Sequence, residues 1–273
     1  MNTSTDIGFS RHANAFSGSL SLQDVRDRAP AVFAQSAHER TSASYTFVPT
    51  ERVLTGLMQA GFVPVEARQT QARHSIVHAR HVVRLRRRFE TVQLKDAVPE
   101  VVFLNSHDGT SSYQLRVGIF RVVCTNGLIV SMGSFPSFRA AHRGDVVEEV
   151  VTSALDISER FGVLAGQVER MEQRLLMKDE QIAFAGRAMA VRFAEPLWSG
   201  IQPTQLLTCH RVNDLGNDLW SVLNKVQENL LRGGLSHIAT SGRRIRTRRI
   251  TSIREDVRIN SRLWDLAEQV LTA

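Results

Sequence analysis

The chain has 273 residues, of which 42% are hydrophobic, and its formal net charge is +7 at pH 7. This composition allows one large domain or two modest ones with a real core, and the charge favours acidic partners such as nucleic acid or an anionic membrane surface. Two isolated cysteines, Cys124 and Cys209, exclude a disulfide framework. No run of about 18 apolar residues is present, so we expect a soluble cytoplasmic protein without a membrane span.

Residues 1–44 are rich in serine, alanine and charged side chains, and we interpret them as a weakly ordered N-terminal arm. One short helix is predicted at 21–28, because Ser21 and Asp24 have the spacing of a capping pair. Pro30 ends this helix, since proline cannot continue it.

Residues 45–140 form a predicted β-rich unit with one helix. Thr50 is the predicted N-cap of that helix, and Gly61 ends it. Alternating apolar residues predict strands at 45–48, 62–68, 80–89, 101–104 and 113–124. The pair Asn126-Gly127 has the composition of a tight hairpin turn, and His107-Asp108-Gly109 predicts a second turn.

After residue 145 the apolar period changes from two to alternating three and four. The pattern spans four heptads and predicts one long helix from 145 to about 190. It fits either a helix laid across the sheet or a homo-oligomer interface over 147–175. The periodic positions are Val147, Val150, Ala154, Ile157, Phe161, Leu164, Val168, Met171 and Leu175.

Two further helices are predicted near the C-terminus. The first runs over 214–231 and ends at Gly233-Gly234, and the second begins near Ser252, which has capping-box spacing to Glu255. We therefore predict an α+β fold: an antiparallel sheet, then the long helix and a C-terminal helical pair within 141–273. We expect these parts to form one compact domain.

Arginine supplies nearly all of the positive charge, and it is clustered. Five of the seven residues from 243 to 249 are arginine, and three more alternate with Val83 and Leu85 in the strand predicted at 80–89. Such clusters bind a polyanion unless they are solvated or paired, here with the acidic stretch Asp145, Glu148 and Glu149. The candidate nucleic-acid-binding residues are Arg84, Arg86, Arg88, Arg243, Arg244, Arg246, Arg248 and Arg249.

Three stretches carry a resemblance to a known family. They are NSHDGTSSYQLRVGIFRVVCTNGLIV at 105–130, DLWSVLNKVQENLLRGGL at 218–235 and RTRRITSIREDVRINSRLWDLAEQVL at 246–271. Together they resemble the YafZ/YfjQ type of phage- and plasmid-borne proteins, a domain of unknown function found in prophages and conjugative plasmids. The positions that match the family pattern are His107, Asp108, Gly109, the Cys124–Gly127 segment, Asn224, Gln227, Glu228 and Asn229.

The resemblance implies no catalytic residues, and it implies a mobile-element context of replication, recombination or defence against the host. Asn224, Gln227 and Glu228 share a helix face at i, i+3 and i+4, which fits either a polar site or a satisfied packing surface against the β-rich unit. An antiparallel sheet followed by a long helix is also the outline of single-strand annealing proteins of phages, although fold alone does not establish function.

An enzyme is the third hypothesis, because each candidate site is incomplete. His74 and His78 have helical spacing for metal ligands and His81 follows, but no carboxylate completes the set and neighbouring arginines would repel a cation. The acids at 145–149 are explained by the dipole of the helix that they begin. Cys124 could act as a nucleophile, but the sequence identifies no base beside it. His107 and Asp108 could form an acid–base pair, but the side chains of adjacent residues rarely face each other.

We therefore predict no catalytic residue, no metal site and no cofactor. The leading hypothesis is a non-enzymatic, DNA-associated accessory protein of a mobile element that binds or anneals single-stranded DNA. The alternative is a protein-interaction module that uses the long helix to inhibit a host restriction or defence factor.

Overall fold

The structure is a computed structural model, and it describes residues 18–42, 45–70, 76–92, 94, 97–121, 127–129, 138–140, 146–193, 200–238 and 242–272. The chain divides into two compact units, each built from separated stretches. Unit 1 comprises Met1–Glu90, Phe103–Tyr113 and Ala140–Val151, and unit 2 comprises Thr91–Val102, Gln114–Arg139 and Thr152–Ala273. These bounds differ from the predicted divisions at 44 and 140, because the chain leaves and re-enters each unit.

An antiparallel sheet precedes the main helices, which confirms the α+β fold. Its strands are β1 (Phe62–Gln69), β2 (His81–Arg87), β3 (Ala97–Asn105), β4 (Tyr113–Arg121), β5 (Gly127–Ile129) and β6 (Phe138–Ala140). The strand order is β1-β2-β3-β4-β5, and β6 also pairs with β4. The Asn126-Gly127 turn lies partly outside the described residues, but β4 and β5 do pair antiparallel, with Phe120 opposite Gly127.

The strand predicted at 45–48 is wrong, since this segment is irregular. The hydroxyl of Tyr113 donates a hydrogen bond to the carbonyl of Val48, which a neighbouring strand would otherwise use. Helix α2 (Thr50–Gln59) follows at once and packs on β1. The predicted N-cap is wrong, because Pro49 holds that position and the hydroxyl of Thr50, the first helical residue, bonds other side chains instead. The helix ends, as predicted, at Gly61, whose φ of 93° favours glycine.

The N-terminal arm is better packed than its composition predicts. Helix α1 (Leu22–Arg28) begins with the predicted capping box, in which Ser21 Oγ accepts from Asp24 N at 3.1 Å. The 3₁₀ turn Pro30–Phe33 then buries Ala31, Val32 and Phe33. Because the apolar side chains at 29 and 31–34 are buried, the described part of the arm from Leu20 to Ala34 belongs to the core of unit 1 rather than to a weakly ordered tail.

The single long helix predicted from 145 to about 190 is wrong. Three helices occupy this region, namely α3 (Val146–Glu159), α4 (Phe161–Gln173) and α5 (Lys178–Arg192). Arg160 interrupts the first pair with φ −91° and ψ 3°. The second break arises because Leu176 N donates to Asn217 O (2.9 Å) and Leu219 N donates to Arg174 O (2.8 Å), so this backbone pairs with a distant segment.

The heptad positions bury their side chains within the chain. From Val150 to Met171 each periodic residue is buried, Val147 is half-buried, and only Leu175 is exposed. The heptad pattern therefore reflects packing within the chain. Little of the 147–175 face is left free for a homo-oligomer. A homo-oligomer through this face therefore stays a prediction without support from the burial.

Unit 2 is organised around helix α6 (Leu219–Arg232), which is buried on all sides from Leu219 to Leu231. Asp218 caps this helix, since its carboxylate accepts from Ser221 N at 2.8 Å. Helices α4, α5 and α7 (Ile253–Thr272) pack around it. Every helix in the described ranges is too short or too polar to cross a membrane.

Candidate nucleic-acid interface

The arginine tract forms one strand of an exposed hairpin in unit 2. Strand β7 (Ser236–Ile238) pairs antiparallel with β8 (Arg244–Arg246), and Gly242 begins the return with φ 74°. The opposed pairs are Ser236 with Arg246, His237 with Ile245, and Ile238 with Arg244. Residues 236–238 and 243–249 are named the arginine hairpin.

Two glycines allow the hairpin to leave α6 sharply. Gly233 and Gly234 end the helix with φ values of 73° and 85°, as their sequence predicts. A Cβ on Gly233 would lie 2.6 Å from the carbonyl oxygen of Arg248, whereas a Cβ on Gly234 would meet nothing within 4 Å. Gly233 is therefore required both for its backbone conformation and for the close approach of the arginine tract.

The backbone of the tract is anchored rather than loose. Gly234 N donates to Thr247 O (2.8 Å), Thr247 N donates to Leu235 O (3.0 Å), and Leu235 N donates to Thr247 Oγ1 (3.1 Å). On the other side of β7, the amide of Gln205 bonds both the N–H and the carbonyl of Ser236, at 2.8 and 3.0 Å. The main-chain positions of the arginines are thus fixed by hydrogen bonds.

The arginine side chains themselves project into solvent. Arg243, Arg244, Arg246, Arg248 and Arg249 are all exposed. Among the described residues, none of these five guanidinium groups forms an ion pair or hydrogen bond with an acidic side chain. Because β-strand side chains alternate, Arg244 and Arg246 project from the same face, roughly 6–7 Å apart along the strand.

The second predicted arginine group lies in unit 1 and is differently placed. Arg84 is 9% exposed and forms an ion pair with Glu66, its register partner on β1. Arg86 is half-buried, and Arg88 is exposed in the turn after β2, where its N–H donates to Gly61 O at 2.8 Å. The charge of Arg84 is therefore compensated within the fold, in contrast to the five arginines of the hairpin.

The polar residues of α6 are engaged in packing contacts. Gln227 Nε2 donates to Asn260 Oδ1 (2.9 Å), and Glu228 forms an ion pair with Arg211 (3.0 Å). Asn229 Nδ2 donates to the carbonyls of Leu206 (3.1 Å) and Thr208 (2.8 Å), and Asn224 Nδ2 donates to Trp220 O (2.8 Å). These bonds favour a satisfied packing surface over a polar site, but the partners lie in the 206–211 segment, α6 and α7 rather than in the predicted β-rich unit.

A buried polar cluster in unit 1 was missed by the sequence reasoning. The Thr50 hydroxyl lies 2.8 Å from His107 Nε2, 3.1 Å from His81 Nε2 and 2.9 Å from Asn105 Nδ2. All four residues are fully buried. These contacts join the first residue of α2 to β2, β3 and the turn after β3, and their partners are separated by 31 to 57 residues in the chain.

The donor and acceptor of each of these hydrogen bonds follow from the backbone carbonyl of Ala79, which can only accept. His81 Nδ1 therefore carries the proton donated to Ala79 O (2.9 Å), and burial lowers the pKa of His81 to about 4, which keeps the ring neutral. His81 Nε2 then accepts from the Thr50 hydroxyl. Thr50 Oγ1 in turn accepts from Asn105 and from His107 Nε2, and His107 Nδ1 faces the Tyr45 hydroxyl at 3.4 Å.

The candidate metal ligands do not converge. His78 Nε2 bonds the carbonyl of Ser36 at 3.1 Å, whereas His81 belongs to the buried cluster. His74, Cys124 and Asp145 lie outside the described residues. Across the residues that the structure describes, no group of three or more His, Cys, Asp or Glu side chains could hold a metal ion. Asp108 instead organises its own turn and accepts from Ser106 Oγ (2.6 Å) and Thr110 N (2.9 Å).

Comparison with known proteins agrees with the resemblance seen in the sequence. The UPF0380 proteins YafZ and YfjQ of Escherichia coli (strain K12) are each 40% identical to the chain over 255 residues, which cover 93% of this chain and 92% of each relative. No solved structure matches the chain. The family described as "Domain of unknown function (DUF932)" matches residues 37–264. The chain therefore belongs to the DUF932 family and is a relative of the UPF0380 proteins.

Proposed function

We propose that this protein binds single-stranded DNA through the arginine hairpin and acts, without catalysis, as an accessory protein in replication, recombination or transfer of a mobile element. One observation carries the proposal. Five arginines project into solvent, without acidic partners among the described residues, from a backbone that hydrogen bonds hold in place.

A phosphate backbone is the ligand that suits this arrangement. Arginine presents a planar fork of donors that matches phosphate oxygens, and each neutralised phosphate releases counterions. If all five arginines contact phosphates, log K should fall with log salt with a slope of about −3.5 on a single strand. The anchored backbone supports such binding, because less conformational entropy is lost than with a flexible tail.

The hairpin is a better candidate than the arginines near β2. Arg84 is buried and paired with Glu66. If Arg84 turned outward to bind a phosphate, the Glu66 carboxylate would lose its partner, which is costly for a pair that is largely shielded from water. Arg86 and Arg88 lie in unit 1, whereas the hairpin lies in unit 2. The proposal therefore rests on the hairpin alone.

The alternative, a protein-interaction module that inhibits a host restriction or defence factor, is less well supported. It requires the heptad face of a long helix as the contact surface. The residues of that face from Val150 to Met171 are buried within the chain. No described feature favours this alternative over polyanion binding.

The test is fluorescence anisotropy with labelled single- and double-stranded oligonucleotides over a salt series. The variant Arg244→Gln/Arg246→Gln should bind single strands at least tenfold more weakly at about 0.1 M salt, with a slope reduced by about 1.4. The matched control, Arg170→Gln/Arg262→Gln, removes the same charge from exposed arginines on α4 and α7 and should retain the wild-type slope. Equal losses of single-strand affinity in both variants would show that net charge, and not the arginine hairpin, determines binding. If the wild-type protein does not bind DNA at low salt, the proposal is wrong.

A further inference from the structure

The exposed face of the arginine hairpin carries two parallel rows of different chemistry. Arg244 and Arg246 form one row on β8. Their register partners on β7, Ile238 and Ser236, form the second row on the same face, since directly opposed residues in an antiparallel pair project to the same side. The two strands lie roughly 4.8 Å apart, so each row is within side-chain reach of the other.

Ile238 is the unexpected member of this face. Its exposed fraction is 68%, although a strand isoleucine is ordinarily packed in a core. The neighbouring His237 projects to the opposite face and is only 6% exposed, whereas its register partner Ile245 is 37% exposed, so the opposite face of the hairpin is buried at β7 and partly open at β8. Ile238 therefore contributes little to the core and leaves an apolar surface beside two cations.

Single-stranded DNA has the same two-row arrangement. Its phosphates form a charged edge, and its unpaired bases present apolar faces next to that edge. In a duplex the base faces are stacked and covered, so an apolar side chain beside the phosphates cannot lie against a base face. The pattern of cationic row and adjacent apolar side chain is thus complementary to a single strand and not to a duplex backbone.

Resting on the proposed function, we infer that Ile238 contacts the bases of single-stranded DNA whose phosphates are held along β8 by Arg244 and Arg246. Ile238 thereby sets the preference for single strands. Arginine contacts supply the salt-dependent part of the affinity, which both DNA forms share. Apolar contact with a base supplies a part that is nearly independent of salt and is specific to the single strand.

The experiment compares Ile238→Ser with wild type on a mixed-sequence single strand and on its duplex, by anisotropy over a salt series. We expect affinity for the single strand to fall on the order of fivefold, affinity for the duplex to stay within about twofold, and both salt slopes to be unchanged. The control Leu215→Ser removes a leucine that is 66% exposed elsewhere in unit 2, and it should change neither affinity. Unchanged single-strand binding by Ile238→Ser would overturn the inference, as would equal losses on both DNA forms.

A gain-of-contact variant keeps the inference testable if the serine variant is poorly folded. Ile238→Phe should strengthen single-strand binding severalfold without changing the salt slope, because an aromatic ring stacks better on a base. Weaker or unchanged binding by a folded Ile238→Phe protein would argue for another occupant, such as a protein partner or a second copy of the chain. Failure of the proposed function is distinguishable, since wild type would then bind neither DNA form.

Discussion

Arg192 donates a hydrogen bond to the backbone carbonyl of Arg248, and its other terminal nitrogen donates to the carbonyl of Leu230. One guanidinium on α5 thus joins the end of α6 to the arginine tract. Burial lowers the pKa of Arg192, and the charge of the nearby Glu255 only partly counteracts this. The tract therefore owes its position to an arginine that is not itself available for binding.

Replacing Arg192 by lysine should weaken the tract without changing its charge. An ammonium cannot bond both carbonyls in the fork geometry, so we expect a loss of about 1–2 kcal/mol in the free energy of unfolding. Single-strand affinity should fall about two- to threefold at an unchanged salt slope. Chemical denaturation and anisotropy measure the two effects. Arg187→Lys, at an exposed position on the same helix, is the control, and an equal effect there would contradict a role specific to Arg192.

The two glycines after α6 give a matched pair of substitutions. Gly233→Ala should destabilise the protein by about 3 kcal/mol or more, because its backbone (φ 73°, ψ −155°) is a region nearly confined to glycine and its Cβ would meet Arg248 O. Gly234→Ala should cost only about 1 kcal/mol, since it has a positive φ and open space. Urea denaturation of both variants checks the order. Equal costs would mean that the close approach of the tract is unimportant.

The sequence predicted elements whose signals are local. The capping box of Ser21 and Asp24, the helix ends at Gly61 and Gly233, and the turn at Gly109 depend on a few adjacent residues and were confirmed. Prediction from the sequence was wrong where the backbone of an element forms hydrogen bonds with a distant segment of the chain. The helix predicted past residue 173 ends because residues 174–176 bond to 217–219, and no local pattern reports that pairing.

The candidate site follows the same division. The shared face of Arg244 and Arg246 follows from strand alternation, but strand β8 ends at Arg246 and does not extend over the whole arginine tract. The compensation of Arg84 by Glu66 was not predictable, because it depends on the β1–β2 register and on the irregularity between Pro64 and Glu66. The Thr50 cluster was missed for the same reason, since its side chains meet only after four elements are assembled.

Thr50→Val should be strongly destabilising, although the two side chains have nearly the same shape. Removal of the hydroxyl leaves His81, Asn105 and His107 without the oxygen that they share, in a fully buried setting. We expect a loss of about 2–4 kcal/mol in the free energy of unfolding, measured by urea denaturation. Thr50→Ser keeps the hydroxyl and should recover most of the stability. Comparable losses in both variants would show that the methyl group, rather than the hydrogen-bond network, carries the effect.

Stability should depend on pH through His81. Burial lowers its folded pKa to about 4, while the hydrogen bond to Ala79 and the charge of Asp108 raise it and only partly offset burial; the unfolded value is close to 6.5. Between these values the unfolded chain binds more protons, so stability is fully present above pH 6.5 and declines as the pH falls toward 4. A difference of roughly 2.5 units corresponds to about 3 kcal/mol.

The measurement is urea denaturation from pH 7.5 to pH 4.5 on wild type and on His81→Gln. Carboxyl groups of the unfolded chain also begin to take up protons toward the lower end of this range, so the difference between the two proteins isolates His81. Glutamine retains a hydrogen-bonding side chain without a titrating ring, and its variant should be less stable at pH 7.5 but lose less stability on acidification. Parallel curves for the two proteins would show that His81 is not the group whose protonation opposes folding.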